Sequence, residues 1–191
     1  MMPVAAARSS SSSEADGALV SRVMRGDRDV YAVLVNRHQQ LLYRHARGMG
    51  LDHDTSLDIV QDAFIKAYTR LEECHDAGRF RSWVFRIARN LCLDHVRSVR
   101  RTVIPMSESG DIESIPDNDS SLDDVKQTLR EALIHIPPML REAFLLKHDA
   151  GYTYDEVAEL TDTSPSAAKM RVHRARSLLR AFLIEQGVTA A

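Results

Sequence analysis

Apolar residues recur along this chain at the three- and four-residue spacing of one helix face, and the alternation typical of β-strands is nearly absent. The pattern breaks once, over residues 101–120, where prolines, a glycine, serines and acids replace it. About twenty residues without periodicity are unusual inside a compact domain but ordinary in a linker. The sequence therefore predicts an all-α protein, in which two small helical domains are joined by a flexible acidic linker.

The predicted organisation has four parts: a disordered tail over 1–16, a four-helix domain over 17–101, the linker over 102–120 and a second domain over 121–186. Thr55 with Asp58 resembles a helix-capping pair, and the helix after it is predicted to bury Leu57 and Phe64. The predicted helices span about 18–24, 27–47, 55–73, 82–100, 121–136, 140–148, 154–161 and 165–184.

Composition narrows the class of protein. Hydrophobic residues make up 44% of the chain and charged residues 27%, which suits a soluble protein with a buried core. No apolar run approaches the roughly 18 residues of a membrane span, and the N-terminus lacks the apolar core of a signal peptide. The two cysteines predict free thiols in the cytoplasm. Neither a metal-ligand cluster nor a catalytic set of side chains is visible, so we expect no metal, no cofactor and no enzymatic activity.

The net charge of −2 hides two basic blocks. Segment 79–101 has seven arginines and one acid, for +6, and segment 165–180 has five basic residues and no acid, for +5. Between them, segment 102–124 carries seven acids and no base, for −7. Clustered Arg and Lys side chains are typical of a nucleic-acid-binding surface, although two solvated helix faces would give the same pattern.

The second block lies in a helix-turn-helix pattern. Thr153 and Glu156 fit a capping box, and Ser164 with Pro165 fits the start of the next helix. Asp162 occupies the turn position where glycine is common, and Asp tolerates the left-handed conformation better than most residues. The second helix is predicted to bury Ala168, Val172, Ala175 and Leu179 and to present the opposite face to the DNA major groove. That face consists of Ser166, Met170, His173, Arg174 and Ser177, with Lys169 and Arg176 on one flank and Arg171 on the other.

The first domain has two further features. The third helix is predicted to present one face with acids in an otherwise basic domain, which favours a protein partner rather than DNA; the face consists of Asp58, Gln61, Asp62, Ile65 and Thr69. Phe80 and Trp83 accompany the arginines of the fourth helix, a combination that suits stacking on unpaired bases. Ordinary core packing is the alternative interpretation for both aromatic side chains.

These segments resemble a known family. The string LDIVQDAF at 57–64, followed by FRSWVFRIARN at 80–90, is similar to region 2 of the extracytoplasmic-function (ECF) sigma factors. The stretch 152–179, especially RVHRAR at 171–176, is similar to their region 4. The resemblance covers about residues 18–185 in order. It implies a promoter-specificity subunit of bacterial RNA polymerase, with promoter DNA and core polymerase as partners and an anti-sigma protein as a regulator.

The resemblance also implies roles for particular residues. Asp58, Gln61, Asp62 and Phe64 correspond to the polymerase-docking positions of the family. The loop from Cys74 to Phe80 corresponds to the segment that melts and reads the −10 element, together with Trp83, Arg86, Asn90, Asp94 and Arg97. Ser166, Lys169, Met170, Arg171, His173 and Arg174 correspond to the reader of the −35 element. The acidic linker corresponds to the segment that enters the polymerase channel.

Two other functions stay open from the residues alone. A conventional helix-turn-helix regulator would explain residues 140–180 but leaves the arginine-rich helix and the Asp/Gln face without a role. An enzyme acting on nucleic acid would need a carboxylate pair, a phosphate-binding loop or a metal site, and none is visible. The linker acids either mask the basic surfaces of the free protein or keep a spacer soluble.

Overall fold

The computed structural model describes residues 14–102 and 122–187. The described residues fall into two compact units. The first contains the chain up to Ala46 together with His53–Cys92, and the second contains Arg47–Asp52 and the chain from Leu93 onward. Apart from Thr102, the predicted linker lies outside the described residues, and so does all of the predicted tail before Glu14.

Helices account for all the regular secondary structure in the described residues, as the periodicity predicts. The 3-10 turns are Arg28–Val30, Leu71–Glu73 and Ala77–Arg79. The α-helices are α1 (Asp16–Met24), α2 (Tyr31–Gly48), α3 (His53–Thr69), α4 (Phe80–Thr102), α5 (Leu122–His135), α6 (Pro138–His148), α7 (Tyr154–Leu160) and α8 (Pro165–Glu185). None of these helices is long and apolar enough to cross a membrane.

In the first unit, α1, α3 and the part of α4 up to Cys92 pack on α2. Leu34 and Leu42 of α2 are almost fully buried, and α4 contributes Val84, Phe85 and Ala88 to the same core. Aromatic rings join the helices: Tyr31 meets Phe64 edge-on at 6.4 Å between ring centroids. Each helix has apolar side chains on one side and polar side chains on the other. The apolar side can therefore pack in the core, as a small domain requires.

Three local predictions in this unit are wrong. Helix α3 begins at His53, so Thr55 lies inside the helix rather than at its cap. Leu57 was expected in the core, but 48% of its surface is exposed. The apolar spacing of α4 predicts an inward face of Trp83, Ile87, Leu91 and Val96, with Val84 and Ala88 beside it. The buried side instead consists of Val84, Phe85, Ala88 and Cys92, because the helix is turned by about one residue.

In the second unit α8 packs against α5, α6 and α7. The core side chains include Leu133, Leu146, Val157 and Val172, each at most 5% exposed. The guanidinium of Arg141 donates hydrogen bonds to the carbonyls of Ile134 and Ile136 at 2.7 and 3.3 Å. A buried cation thereby satisfies carbonyls at the end of α5 that have no partner within the helix.

Two histidines of α2, His38 and His45, are buried in the core, and the sequence alone indicates no role for either. His45 is 2% exposed and its ring lies 4.7 Å from the ring of Phe85. Neither ring nitrogen has a hydrogen-bond partner among the described residues. Burial, reinforced by the nearby Arg89, lowers the pKa of His45 from 6.5 to about 3. The imidazole is therefore held neutral, and its polar atoms are buried at a cost in stability.

We predict that His45→Leu stabilises the first unit and flattens its response to acid. Because the folded pKa of His45 lies below its ordinary value, stability present at neutral pH is lost as the pH falls below 6.5. The variant should gain roughly 1–3 kcal/mol at pH 7 from removal of the unpaired nitrogens. That advantage should grow by about 1–2 kcal/mol by pH 5. Denaturant unfolding followed by Trp83, the one tryptophan of the chain, measures both values; an advantage that stays constant between pH 7 and pH 5 would contradict the assignment.

Candidate nucleic-acid and partner interfaces

Helix α7 begins at a complete capping box, as the sequence predicts. The Thr153 hydroxyl accepts a hydrogen bond from the Glu156 amide at 3.2 Å, and the Glu156 carboxylate accepts one from the Thr153 amide at 2.7 Å. Two amides of the first turn that lack helical partners are satisfied in this way. The box fixes where α7 begins and so fixes the first helix of the helix-turn-helix.

The turn between α7 and α8 also has the predicted geometry. Asp162 has a φ of 50°, which places it in the left-handed region. The Thr163 amide donates to the Ala158 carbonyl at 2.9 Å, and the Thr161 hydroxyl donates to the Val157 carbonyl at 2.7 Å. These bonds close the end of α7. The chain then enters α8 at Ser164, whose hydroxyl accepts from the Ala167 amide at 3.2 Å.

Helix α8 has one dry face and one basic face. Its buried residues in the core are Ala168, Val172, Ala175 and Leu179, the four that the sequence predicts. Of the predicted −35 readers, Arg171 is half-buried, and the exposed ones are Ser166, Lys169, Met170, His173 and Arg174. Among the described residues Lys169, Arg171 and Arg174 have no ion-pair partner. Unpaired cations on an exposed helix face are free to contact phosphates and base edges.

A second basic group beside α8 was missed by sequence reasoning. Lys147 at the end of α6 lies over the Tyr154 ring, 4.7 Å from its centroid, and donates to the Tyr152 carbonyl at 3.2 Å. Burial, together with the positive charges of Arg176 and Lys147, lowers the pKa of the neighbouring His148. Arg176 of α8 and Lys147 of α6 therefore lie close enough to act on the same imidazole, because α6 packs on α8.

The predicted −10 residues of α4 form an exposed group, described first, and a group that is buried or half-buried. Arg86, Asn90, Asp94 and Arg97 recur about once per turn, and all are exposed. The guanidinium of Arg97 lies 3.6 Å from the Asp94 carboxylate, so the stripe contains its own acid. An exposed pair of this kind contributes little to stability, which leaves both side chains available for a ligand.

Phe80 is a correction to the predicted DNA-contacting set. Its side chain is 0% exposed, with its ring 5.8 Å from the His38 ring and 6.0 Å from the Trp83 ring. A fully buried ring cannot stack on a base, so Phe80 supports the start of α4 from inside. Trp83 is half-buried, and part of its indole reaches the surface.

An apolar groove of about 1020 Å³ separates α2 from α3. Leu57, Ile65 and Tyr68 line it with 48%, 53% and 38% of their surfaces exposed, and of these three only Ile65 lies on the helix face that the sequence assigns to a protein partner. Gln61 also lines the groove, and Phe64 is 5% exposed at its base. The Phe64 carbonyl accepts a hydrogen bond from the Tyr31 hydroxyl at 2.7 Å. Contiguous exposed apolar side chains of this kind mark an interaction surface.

The predicted acids lie beside this groove and do not line it. Asp58 and Asp62 are exposed on the flank of α3, one turn apart. The surface therefore combines an apolar channel with a negative margin. No group of three or more His, Cys, Asp or Glu side chains in the described parts of the chain is arranged to hold a metal ion.

Comparison with known proteins identifies the family. Residues 34–102 match the family described as Sigma-70 region 2, and residues 126–179 match Sigma-70, region 4. The RNA polymerase sigma factor NccH of Alcaligenes xylosoxydans xylosoxydans is 33% identical over 175 residues, covering 88% of this chain and 94% of the relative. The ECF RNA polymerase sigma-E factor of Haemophilus influenzae is 27% identical over 180 residues, covering 86% and 93%. The chain belongs to the ECF sigma factors.

Solved structures agree with this membership. CnrH in complex with the cytosolic domain of CnrY is similar with a TM-score of 0.68 and 28% identity, covering 90% of this sigma factor and 99% of that chain. RpoE in complex with the anti-sigma factor NepR from Bartonella quintana gives 0.62 and 27% identity, covering 82% and 96%. Sigma factors direct transcription initiation and are not themselves enzymes.

The two family matches divide the candidate surfaces of this sigma factor. The region 2 match begins in α2 at residue 34 and ends with α4, so it contains most of the apolar groove and the α4 stripe. The region 4 match contains the capped turn and the basic face of α8. Helix α1 precedes both matched ranges. The resemblance seen in the sequence is confirmed, and each surface can be considered separately.

Proposed function

We propose that this sigma factor docks on core polymerase through the α2–α3 groove, opens the −10 element with the α4 stripe and the 74–79 loop, and reads the −35 element with α8. The observation that carries the proposal is the basic face of α8, with its unpaired cations held outward on a capped helix-turn-helix. Each of the three surfaces has a chemistry suited to its ligand: apolar and acidic for protein, mixed polar for separated strands, and cationic for duplex DNA.

For the −35 element, Arg174 and Met170 lie opposite the buried face of α8, whereas Lys169 lies on its flank. At about 100° per residue a helix inserted in the major groove directs Arg174 toward base edges and Lys169 toward the phosphates of one strand. Arginine bonds guanine through two parallel hydrogen bonds, and lysine acts on phosphate as a point charge. The two cations therefore have separable roles in the proposal.

We predict that Arg174→Ala relaxes base preference at one −35 position, at a cost of about 1–3 kcal/mol for the preferred base. Lys169→Ala should weaken all −35 sequences alike and reduce the salt dependence of binding by about one phosphate contact. Transcription by the reconstituted holoenzyme on a panel of −35 variants, at several salt concentrations, measures both effects. Identical sequence profiles for the two variants would show that the two side chains do not differ in role.

For the −10 element, exposed Arg86, Asn90 and Arg97 form the polar stripe of α4 beside the partly exposed Trp83. Arginine and an aromatic ring suit the phosphates and the bases of an unpaired strand. Asp94 limits the net positive charge of the stripe, which favours hydrogen bonding to bases over general attraction to duplex phosphates. Phe80 contributes in this proposal only by holding Trp83 and the helix start in place.

For polymerase docking, the proposal adds the exposed apolar residues of the groove to Gln61 and to the flanking Asp58 and Asp62. Burial of apolar surface supplies most of the affinity of a protein interface, and rim charges set orientation and on-rate. The partner surface should then carry apolar side chains that fill the groove and basic side chains that face Asp58 and Asp62.

We predict that Ile65→Ser lowers affinity for core polymerase about tenfold, because a half-exposed isoleucine loses on the order of 1.4 kcal/mol of apolar burial. Met24→Ser is the matched control, since Met24 of α1 is 54% exposed and lies outside the groove, against 53% for Ile65. Competition of each variant with labelled wild type for core polymerase gives both affinities. Equal competition by Ile65→Ser and wild type would exclude the groove, and loss of binding in Met24→Ser would show that exposure alone is responsible.

Regulation by a protein partner is part of the proposal. The similar chains CnrH and RpoE were solved with CnrY and with the anti-sigma factor NepR. We infer that this sigma factor is likewise held by an anti-sigma protein, for which its exposed apolar side chains in both units offer contact area. Because core polymerase and promoter DNA occupy the bacterial cytoplasm, the proposed function places this protein there too.

A further inference from the structure

Helix α1 packs against the 3-10 turn Ala77–Arg79, and the contact passes through a glycine. A Cβ atom at Gly17 would lie 3.3 Å from the Gly78 amide nitrogen and 3.4 Å from the Ala77 carbonyl carbon. The first distance is shorter than ordinary van der Waals contact, and both partners are backbone atoms, so a side chain at position 17 requires the turn or the helix to shift by a few tenths of an ångström. The close approach of these two backbones accounts for a glycine at this position.

The turn that α1 touches has little freedom of its own. The Asp76 carboxylate accepts a hydrogen bond from the Gly78 amide at 3.0 Å and caps the turn. The Cys74 thiol donates to the Asp76 carbonyl at 3.5 Å. A loop tied in this way moves as a unit rather than bending at one residue. Any displacement at Gly78 is then transmitted to the exposed side chains of His75, Asp76 and Arg79.

The other side of α1 is anchored to α2. The Asp16 carboxylate forms an ion pair with Arg37 and a hydrogen bond of 2.8 Å with Nε2 of His38. Burial lowers the pKa of His38, and the Asp16 carboxylate opposes part of that shift. The His38 ring in turn packs on Phe80, the first residue of α4. Helix α1 thus has a position fixed by α2, from which it can set the position of the loop.

We propose that Gly17 is a positioning residue for −10 recognition: its missing side chain sets the distance between α1 and the 74–79 loop, and so the placement of the loop against the opened strand. This inference rests on the proposed reading of the −10 element by that loop. It gives a role to α1, which precedes both ranges that match the sigma family. Gly17 touches no DNA in this scheme, and it acts through Ala77 and Gly78.

The test uses Gly17→Val, which pushes the loop away, and Gly17→Ala, which adds a single methyl group. Ala18→Val is the matched control, because Ala18 is the next residue of α1 and is exposed. Each full-length variant is combined with core polymerase and a pool of duplex templates with randomised −35 and −10 segments. Sequencing the transcribed templates gives base preferences at both elements from one reaction, and a parallel titration gives affinity for core polymerase.

We expect Gly17→Val to lower discrimination at −10 positions about tenfold, the loss of one good base contact. Gly17→Ala should give a smaller change in the same direction. The −35 preferences and the affinity for core polymerase should stay at the wild-type values in both variants, and Ala18→Val should resemble wild type throughout.

Three results would overturn the inference. Wild-type −10 preferences in Gly17→Val would show that the contact does not place the loop. Equal flattening at both elements, or lost affinity for polymerase in Gly17→Ala as well as Gly17→Val, would show that Gly17 only supports the fold. A wild-type protein that lacks any −10 preference would contradict the proposed function itself, and with it the role of Gly17.

Discussion

Close packing of helices through alanine is the constraint on which both units depend. Ala46, Ala63, Ala67 and Ala88 are at most 1% exposed in the first unit, and so are Ala132, Ala143, Ala168 and Ala175 in the second. Small side chains at helix crossings let backbones approach closely, and a larger residue there typically costs about 1–3 kcal/mol. Once these crossings are fixed, the rotation of each helix is fixed too. The side chains that are left at the surface form the groove, the α4 stripe and the basic face of α8.

The surfaces that the proposed function assigns to polymerase and to DNA differ in how strongly their affinity depends on salt. In the proposed function, the affinity of the groove for polymerase comes from apolar burial, which depends weakly on salt. The affinity of the α8 face for DNA would come from phosphate neutralisation, which falls steeply as salt rises. A sigma factor with both kinds of surface can therefore stay bound to polymerase at salt concentrations that weaken its binding to DNA. Transcription is catalysed by the polymerase, and a sigma factor contributes surfaces that bind and position the other components.

Sequence reasoning predicted α8 almost completely, because its buried and exposed residues follow helical periodicity and its caps use local hydrogen bonds. It failed where the environment of a residue depends on segments that are distant in the sequence. Leu57 fits the apolar period of α3 as well as a core residue does, and only the groove formed with α2 shows that it is exposed. His38 and His45 look polar in sequence, yet Phe80 and Phe85 of α4 enclose them. Phe80 was misassigned for the same reason.

In the proposed function, this chain selects promoters only as a part of RNA polymerase. The most direct measurement adds the full-length protein to bacterial core polymerase with a pool of randomised duplex templates and sequences the transcripts. We expect transcripts that start at defined positions on templates enriched in two separated elements, with no such enrichment when either protein is omitted. Selection of duplex sequences by the chain alone, with no new transcripts when polymerase is present, would contradict it and would indicate a conventional helix-turn-helix regulator.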